Sequence, residues 1–117
     1  MNKNSGFFTR IPKAIGYSIE GLKIAWHTEA SFRQELFGFI VLFPLALWLG
    51  DNGVERALLI SCLLLILIIE LLNSSIEVIA DNISEEWHPV VKRAKDIASA
   101  AVFLSFLLAT IIWLLIV

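Results

Sequence analysis

Two glutamates and an asparagine interrupt an otherwise apolar run, spaced Glu70-x-x-Asn73-x-x-x-Glu77 within Ala57–Ala80. Ionisable groups in a membrane helix are expensive to bury, so they face protein or water rather than lipid and mark a site. At about 100° per residue, Glu70, Asn73, Ser74, Glu77 and Asp81 fall within roughly a third of the helix circumference. Carboxylates and amide oxygens suit hard cations, and Mg²⁺ usually takes only one or two carboxylates plus phosphate oxygens and water. Two chemistries fit such a face: metal-supported phosphate transfer, or binding of a proton or cation by Glu70 in a small transporter or structural oligomer. The residues alone leave both open.

Other chemistries find little footing. The six glycines are scattered and form neither a P-loop nor a Gly-rich kinase loop, so a nucleotide would have to be held by side chains and metal. Cys62 is a lone thiol in an apolar run and reads as packing, and His27 and His88 are isolated. A formal net charge of −2 offers no electrostatic footprint for nucleic acid.

The elements that must position these residues cross a bilayer. The chain is 58% hydrophobic with a mean hydropathy of +0.82, well above the roughly 45–50% apolar content of soluble domains. Ile97–Val117 carries no charge and is long enough to span, as is Ala57–Ala80. Leu36–Gly50 is shorter and needs the preceding turn, Ser31–Glu35, to reach across. Before it, Ile11, Ile15, Ile19, Leu22 and Trp26 recur at three- and four-residue steps opposite Lys13, Glu20 and Lys23. That pattern predicts an amphipathic helix on the membrane surface, with Pro12 suited to its first turn. The expectation is a single all-α membrane domain over 1–117: a surface helix at about 6–28 and transmembrane helices at about 31–50, 54–81 and 91–117.

Basic residues orient it. Five Lys/Arg precede the first span, one lies between the first and second, three lie between the second and third, and none follows. The positive-inside rule therefore puts the N-terminus and the second connection in the cytoplasm. Trp26 and Trp87 then fall at the inner interface and Trp48 and Trp113 near the outer one, as an aromatic belt predicts. Gly50-Asp51-Asn52-Gly53 reads as a tight turn joining an antiparallel pair. This topology gathers Glu29, Arg33 and Glu35, the acids of the second span, and Lys95, Asp96 and Ser99 at one cytoplasmic level. The spacing Lys92-x-x-Lys95-Asp96-x-x-Ser99 is also what an ordinary solvated helix end shows.

Four ordered stretches, Gly6–Ser18 (GFFTRIPKAIGYS), Ala30–Glu35 (ASFRQE), Glu70–Glu77 (ELLNSSIE) and Arg93–Ala101 (RAKDIASAA), together resemble the prokaryotic diacylglycerol kinases. The resemblance covers essentially the whole chain. It implies a homotrimeric helical bundle in the bacterial inner membrane, with its active site facing the cytoplasm, that phosphorylates diacylglycerol to phosphatidic acid with ATP and Mg²⁺. By the same resemblance Glu70 is the general base, and Glu29 and Glu77 hold the metal on the nucleotide phosphates with Asn73 beside them. Arg10, Tyr17, Glu86, His88, Lys95 and Asp96 complete the ATP contacts, Lys95 at phosphate and Asp96 at the nucleoside. Around the lipid headgroup it implies Arg10, Ala14, Ser31, Arg33, Glu35, Glu70 and Ser99. An undecaprenol kinase of the same superfamily would share these residues and differ in the lipid accepted; the wording of ASFRQE and ELLNSSIE favours diacylglycerol.

Overall fold

The structure, a computed structural model, describes residues 6–83 and 88–117. Four helices follow in order: α1 (Phe7–Thr28), α2 (Ala30–Leu49), α3 (Gly53–Ile83) and α4 (Pro89–Ile116). Among the described residues there is no strand. The last three helices are each long and apolar enough to cross a membrane. Many of their large apolar side chains, Phe37, Trp48, Leu114 and Leu115 among them, point outward, as expected for a chain solvated by lipid or by further subunits.

Helix α1 opens on Gly6, whose carbonyl accepts from the Thr9 hydroxyl at 3.0 Å and the Arg10 amide at 3.0 Å. Because the helix begins at Phe7, Pro12 sits in the second turn and not in the first, contrary to the expectation from sequence. Proline lacks the N–H that would bond the Phe8 carbonyl four residues back, and on this exposed helix water can take its place. A single extended residue, Glu29 (φ −115°, ψ 103°), ends α1 and starts α2. The break is secured from both sides: the Glu29 amide donates to Ala25 O at 2.9 Å, and the Arg33 guanidinium donates to Trp26 O at 2.7 Å.

The α2–α3 turn is locked by reciprocal bonds. Asn52 Oδ1 accepts from the Glu55 amide at 2.9 Å while Glu55 Oε1 accepts from the Asp51 amide at 3.0 Å, a variation on the capping box. Arg56 Nε donates to Leu47 O at 3.0 Å, folding its side chain over Gly50. A Cβ at Gly50 would meet Arg56 Cγ at 2.5 Å and the Arg56 amide nitrogen at 3.0 Å, so this turn needs glycine for closeness.

Helix α4 packs on α3 through the buried small residues Ala98, Ser105 and Ala109, while Ala94 and Ala101 line a cavity of about 490 Å³ opposite Ile69, Leu72, Asn73 and Ile76. Cys62, Leu63, Ile66 and Ala109 form one buried cluster, and Ala25, Phe32 and Leu67 another that ties α1 and α2 to α3. Cys62 is therefore packing. Trp113 turns inward instead of serving only as a belt residue: it packs on the first cluster and donates from Nε1 to Leu59 O at 3.3 Å. Trp87 lies outside the described residues. At about 1.5 Å per residue the 31-residue α3 is about 46 Å long, well beyond a hydrocarbon core of about 30 Å. Its last turns, with Glu77, Asp81 and Asn82, are left to reach the interface.

Candidate active site

The polar face of α3 passes from buried to exposed along its length. Glu70 and Ser74 are 5% and 6% exposed, Asn73 and Glu77 are half-buried, and Asp81 is exposed. Asn73 Nδ2 donates to Glu77 Oε1 at 3.2 Å, which turns the amide oxygen away from that carboxylate. Asn73 Oδ1, Ser74 Oγ and Glu35 Oε2 are buried without a hydrogen-bond partner among the described residues. Buried polar atoms are nearly always satisfied, yet these three residues line separate cavities, Ser74 between α1 and α3, Asn73 between α3 and α4 and Glu35 between α2 and α3.

Two more acids come to Glu70 from outside α3. Glu29 and Glu77 lie within Coulombic reach of Glu70, and Glu70 within that of Glu35. Glu29 arrives because the α1–α2 break places it on the rim of a cavity of about 560 Å³ between α1 and α3, lined by Ser18, Gly21, Ala25 and Thr28 on one side and Leu71, Ser74, Ser75 and Val78 on the other. The small side chains of α1 leave this space. Glu35 lines a second cavity of about 330 Å³ whose walls are Gly38, Phe39, Leu42, Leu63, Ile66 and Phe106. Among the described residues no three acids, histidines or cysteines close on a single metal position.

The remaining sequence-predicted residues divide into those drawn in and those left outside. On α1, Arg10, Ala14 and Tyr17 share the face that carries Gly21, Ala25 and Thr28, by the 100° rule. Arg10 and Ala14 border a shallow hollow with Phe7 and Ile11, and Arg10 stands about 28 Å along the helix from Glu29. Since Glu29 is the α1-end residue within reach of Glu70, that separation keeps Arg10 from Glu70 within one chain. Ser31 is exposed at the start of α2, and Arg33 is engaged on Trp26 O.

On α4, Lys95 Nζ donates to Asp81 Oδ1 at 2.8 Å, and Glu77 is within its Coulombic reach. Lys92 Nζ donates to Asp96 Oδ2 at 2.6 Å. Asp96 and Ser99 lie on the exposed side, away from the small-residue strip that packs on α3. His88 caps α4: its Nδ1 accepts from the Val90 amide at 3.2 Å, with Pro89 at the first helical position. Glu86 lies outside the described residues. The Asp81–Lys95 pair was missed in the sequence; Asp81 was visible on the Glu70 face, but pairing across 14 positions depends on how α4 packs.

Three long apolar helices, a surface helix and a carboxylate cluster between them define a small polytopic membrane protein with a polar site set among its spans. The profile of the family described as prokaryotic diacylglycerol kinase matches residues 16–117, and the chain belongs to that family. It is 46% identical to the diacylglycerol kinase of Escherichia coli K12 over 113 residues, 97% of this chain and 93% of that one. Against the diacylglycerol kinase of Pseudomonas aeruginosa the identity is 47% over 104 residues, 89% of this chain and 85% of the other. With that of Haemophilus influenzae it is 41% over 113 residues, 97% and 95% of the two chains.

Proposed function

We propose that this chain is an ATP-dependent lipid kinase that transfers the γ-phosphate of ATP to the primary hydroxyl of 1,2-diacylglycerol, giving phosphatidic acid and ADP, in phospholipid recycling. The observation that carries the reading is Glu70, 5% exposed in the middle of α3's buried face with Glu29 and Glu77 in reach. A glutamate there suits a substrate that leaves its acyl chains in lipid and brings only a hydroxyl to the site. Family membership and the names of the relatives support the same reaction.

In this reading Glu70 takes the proton of the lipid hydroxyl as the oxygen attacks phosphorus. General-base assistance of this kind contributes about 10²–10⁴-fold. Phosphoryl transfer demands in-line positioning and neutralised oxygen charge more than covalent chemistry. Mg²⁺ fits the residues present: Glu29 and Glu77, both within reach of Glu70, would hold it, with Asn73, bonded to Glu77, supporting them. When bound, the ion offsets charge on the phosphate oxygens. Lys95 donates to the phosphates, while Arg10, Tyr17, Glu86, His88 and Asp96 hold the rest of the nucleotide. Ser31, Arg33, Glu35 and Ser99 receive the lipid headgroup, with Ala14 leaving space for it.

The assembly proposed is a homotrimer in the bacterial inner membrane, its N-terminus and site cytoplasmic. Within one chain Asp96 and Ser99 face away from Glu70 and Arg10 lies at the far end of α1, so a neighbouring subunit is the natural source of those contacts. The excess of Lys/Arg before α2 and between α3 and α4 supports the orientation.

The test is phosphate transfer by purified protein in mixed micelles with Mg-ATP and either 1,2-diacylglycerol or undecaprenol. Phosphatidic acid formed in step with ATP consumption is the expected result. Phosphorylation of undecaprenol alone, or no lipid-dependent turnover, would refute it.

A further inference from the structure

Asp81 stands one turn beyond Glu77 on α3, four residues on and therefore on the same face, and reaches across to α4 to accept from Lys95 at 2.8 Å. We propose that Asp81 is a positioning residue for ATP: it holds the Lys95 ammonium beside Glu77, at the level where the metal-bound phosphates sit. The inference rests on the kinase reading above, which puts Lys95 at phosphate and leaves Asp81 without a role.

The pair does little for folding. Its side chains are 40% and 68% exposed, and exposed ion pairs contribute little to stability. The α3–α4 contact is already secured by the buried Ala98, Ser105 and Ala109 and by Trp113 on Leu59 O. What the pair does fix is the direction of a four-carbon stem whose rotamer entropy is among the largest of any side chain. An ammonium has three donors, so one bond to Asp81 leaves two for phosphate oxygens. Lys95 need not leave Asp81 for ATP to bind. By contrast, Lys92 is held within α4 by Asp96 and points to no second helix. Pre-setting Lys95 lowers the ordering cost of nucleotide binding, and that gain belongs to the ATP step alone.

The experiment is a mutant cycle on the full-length protein in mixed micelles: Asp81→Asn, Lys95→Met and the double variant, with KM for Mg-ATP, KM for diacylglycerol, kcat and melting temperature measured for each. Asp81→Asn is expected to raise KM for Mg-ATP about three- to tenfold, while kcat, KM for diacylglycerol and the melting temperature stay near wild type. In the Lys95→Met background the same substitution should add less than twofold. An unchanged KM for Mg-ATP, an equal rise in KM for diacylglycerol, or full additivity with Lys95→Met would overturn the role of Asp81 while leaving the kinase reading intact. Lys95→Met with a wild-type KM for Mg-ATP would also overturn it, by removing Lys95 from the nucleotide. Wild-type protein without diacylglycerol-dependent phosphate transfer would sink the kinase reading and this inference with it.

Discussion

Glu29 is asked to do two things at once. Its backbone is the single extended residue that turns α1 into α2, and its side chain borders the cavity beside Ser74 and within reach of Glu70. In the proposed reading that carboxylate holds the metal. If Glu29 and Glu77 share one ion, Glu29→Gln or Glu77→Gln should raise the Mg²⁺ midpoint and the KM for Mg-ATP together. Activity titrated against free Mg²⁺ would check this, and an unmoved midpoint in both variants would reject shared ligation. The α3 half of this cluster was legible in the sequence, because Glu70, Asn73, Glu77 and Asp81 lie on one helix and the 3.6-residue period alone sets them on one face. The other half was legible only in part: the topology gathered Glu29 and Glu35 at the level of the α3 acids without saying how closely they approach Glu70. Bringing Glu29 and Glu35 to Glu70 depends on the angle at a one-residue break, and periodicity says nothing about that angle.

Among the elements, the α2–α3 hairpin shows how little freedom the scaffold has at its far end. Gly50 lies under the Arg56 side chain, Arg56 caps the Leu47 carbonyl, and Asn52 and Glu55 close the turn. Gly50→Ala would set a methyl against the Arg56 backbone as well as its flexible stem, so the cost is expected near the 1–3 kcal/mol typical of overpacking. A lowered melting temperature in micelles, with kcat of the surviving folded fraction unchanged, is the expected outcome; a changed KM for ATP would contradict it. Hydropathy made the three spans and the Gly-Asp-Asn-Gly turn legible, since a bilayer core leaves few alternatives for such apolar runs. It misread Pro12, which the exposed helix tolerates in its second turn, and it missed that Trp113 packs inward, because α3 and α4 approach through small residues that hydropathy treats as unremarkable.

At the scale of the whole molecule, one chain does not bring together all the residues proposed for its site. Glu70 is buried on α3, whereas Asp96 and Ser99 occupy the outer side of α4 and Arg10 the far end of α1. If neighbouring subunits close the gap, co-assembled mixtures of inactive Glu70→Gln and inactive Asp96→Asn chains should recover part of the wild-type activity, because some sites then receive both native residues. No recovery after verified co-assembly would mean that each chain completes its own site. Beneath that question lies the central claim, that a carboxylate inside a membrane helix acts as the base for a lipid hydroxyl. Its most direct measurement is the rate of phosphatidic acid formation by purified wild-type and Glu70→Gln proteins in the same mixed micelles, with nucleotide binding and oligomeric state measured alongside. The account predicts a kcat at least about 10²-fold lower for Glu70→Gln, with ATP binding and assembly preserved. Near-normal turnover in that variant would contradict it.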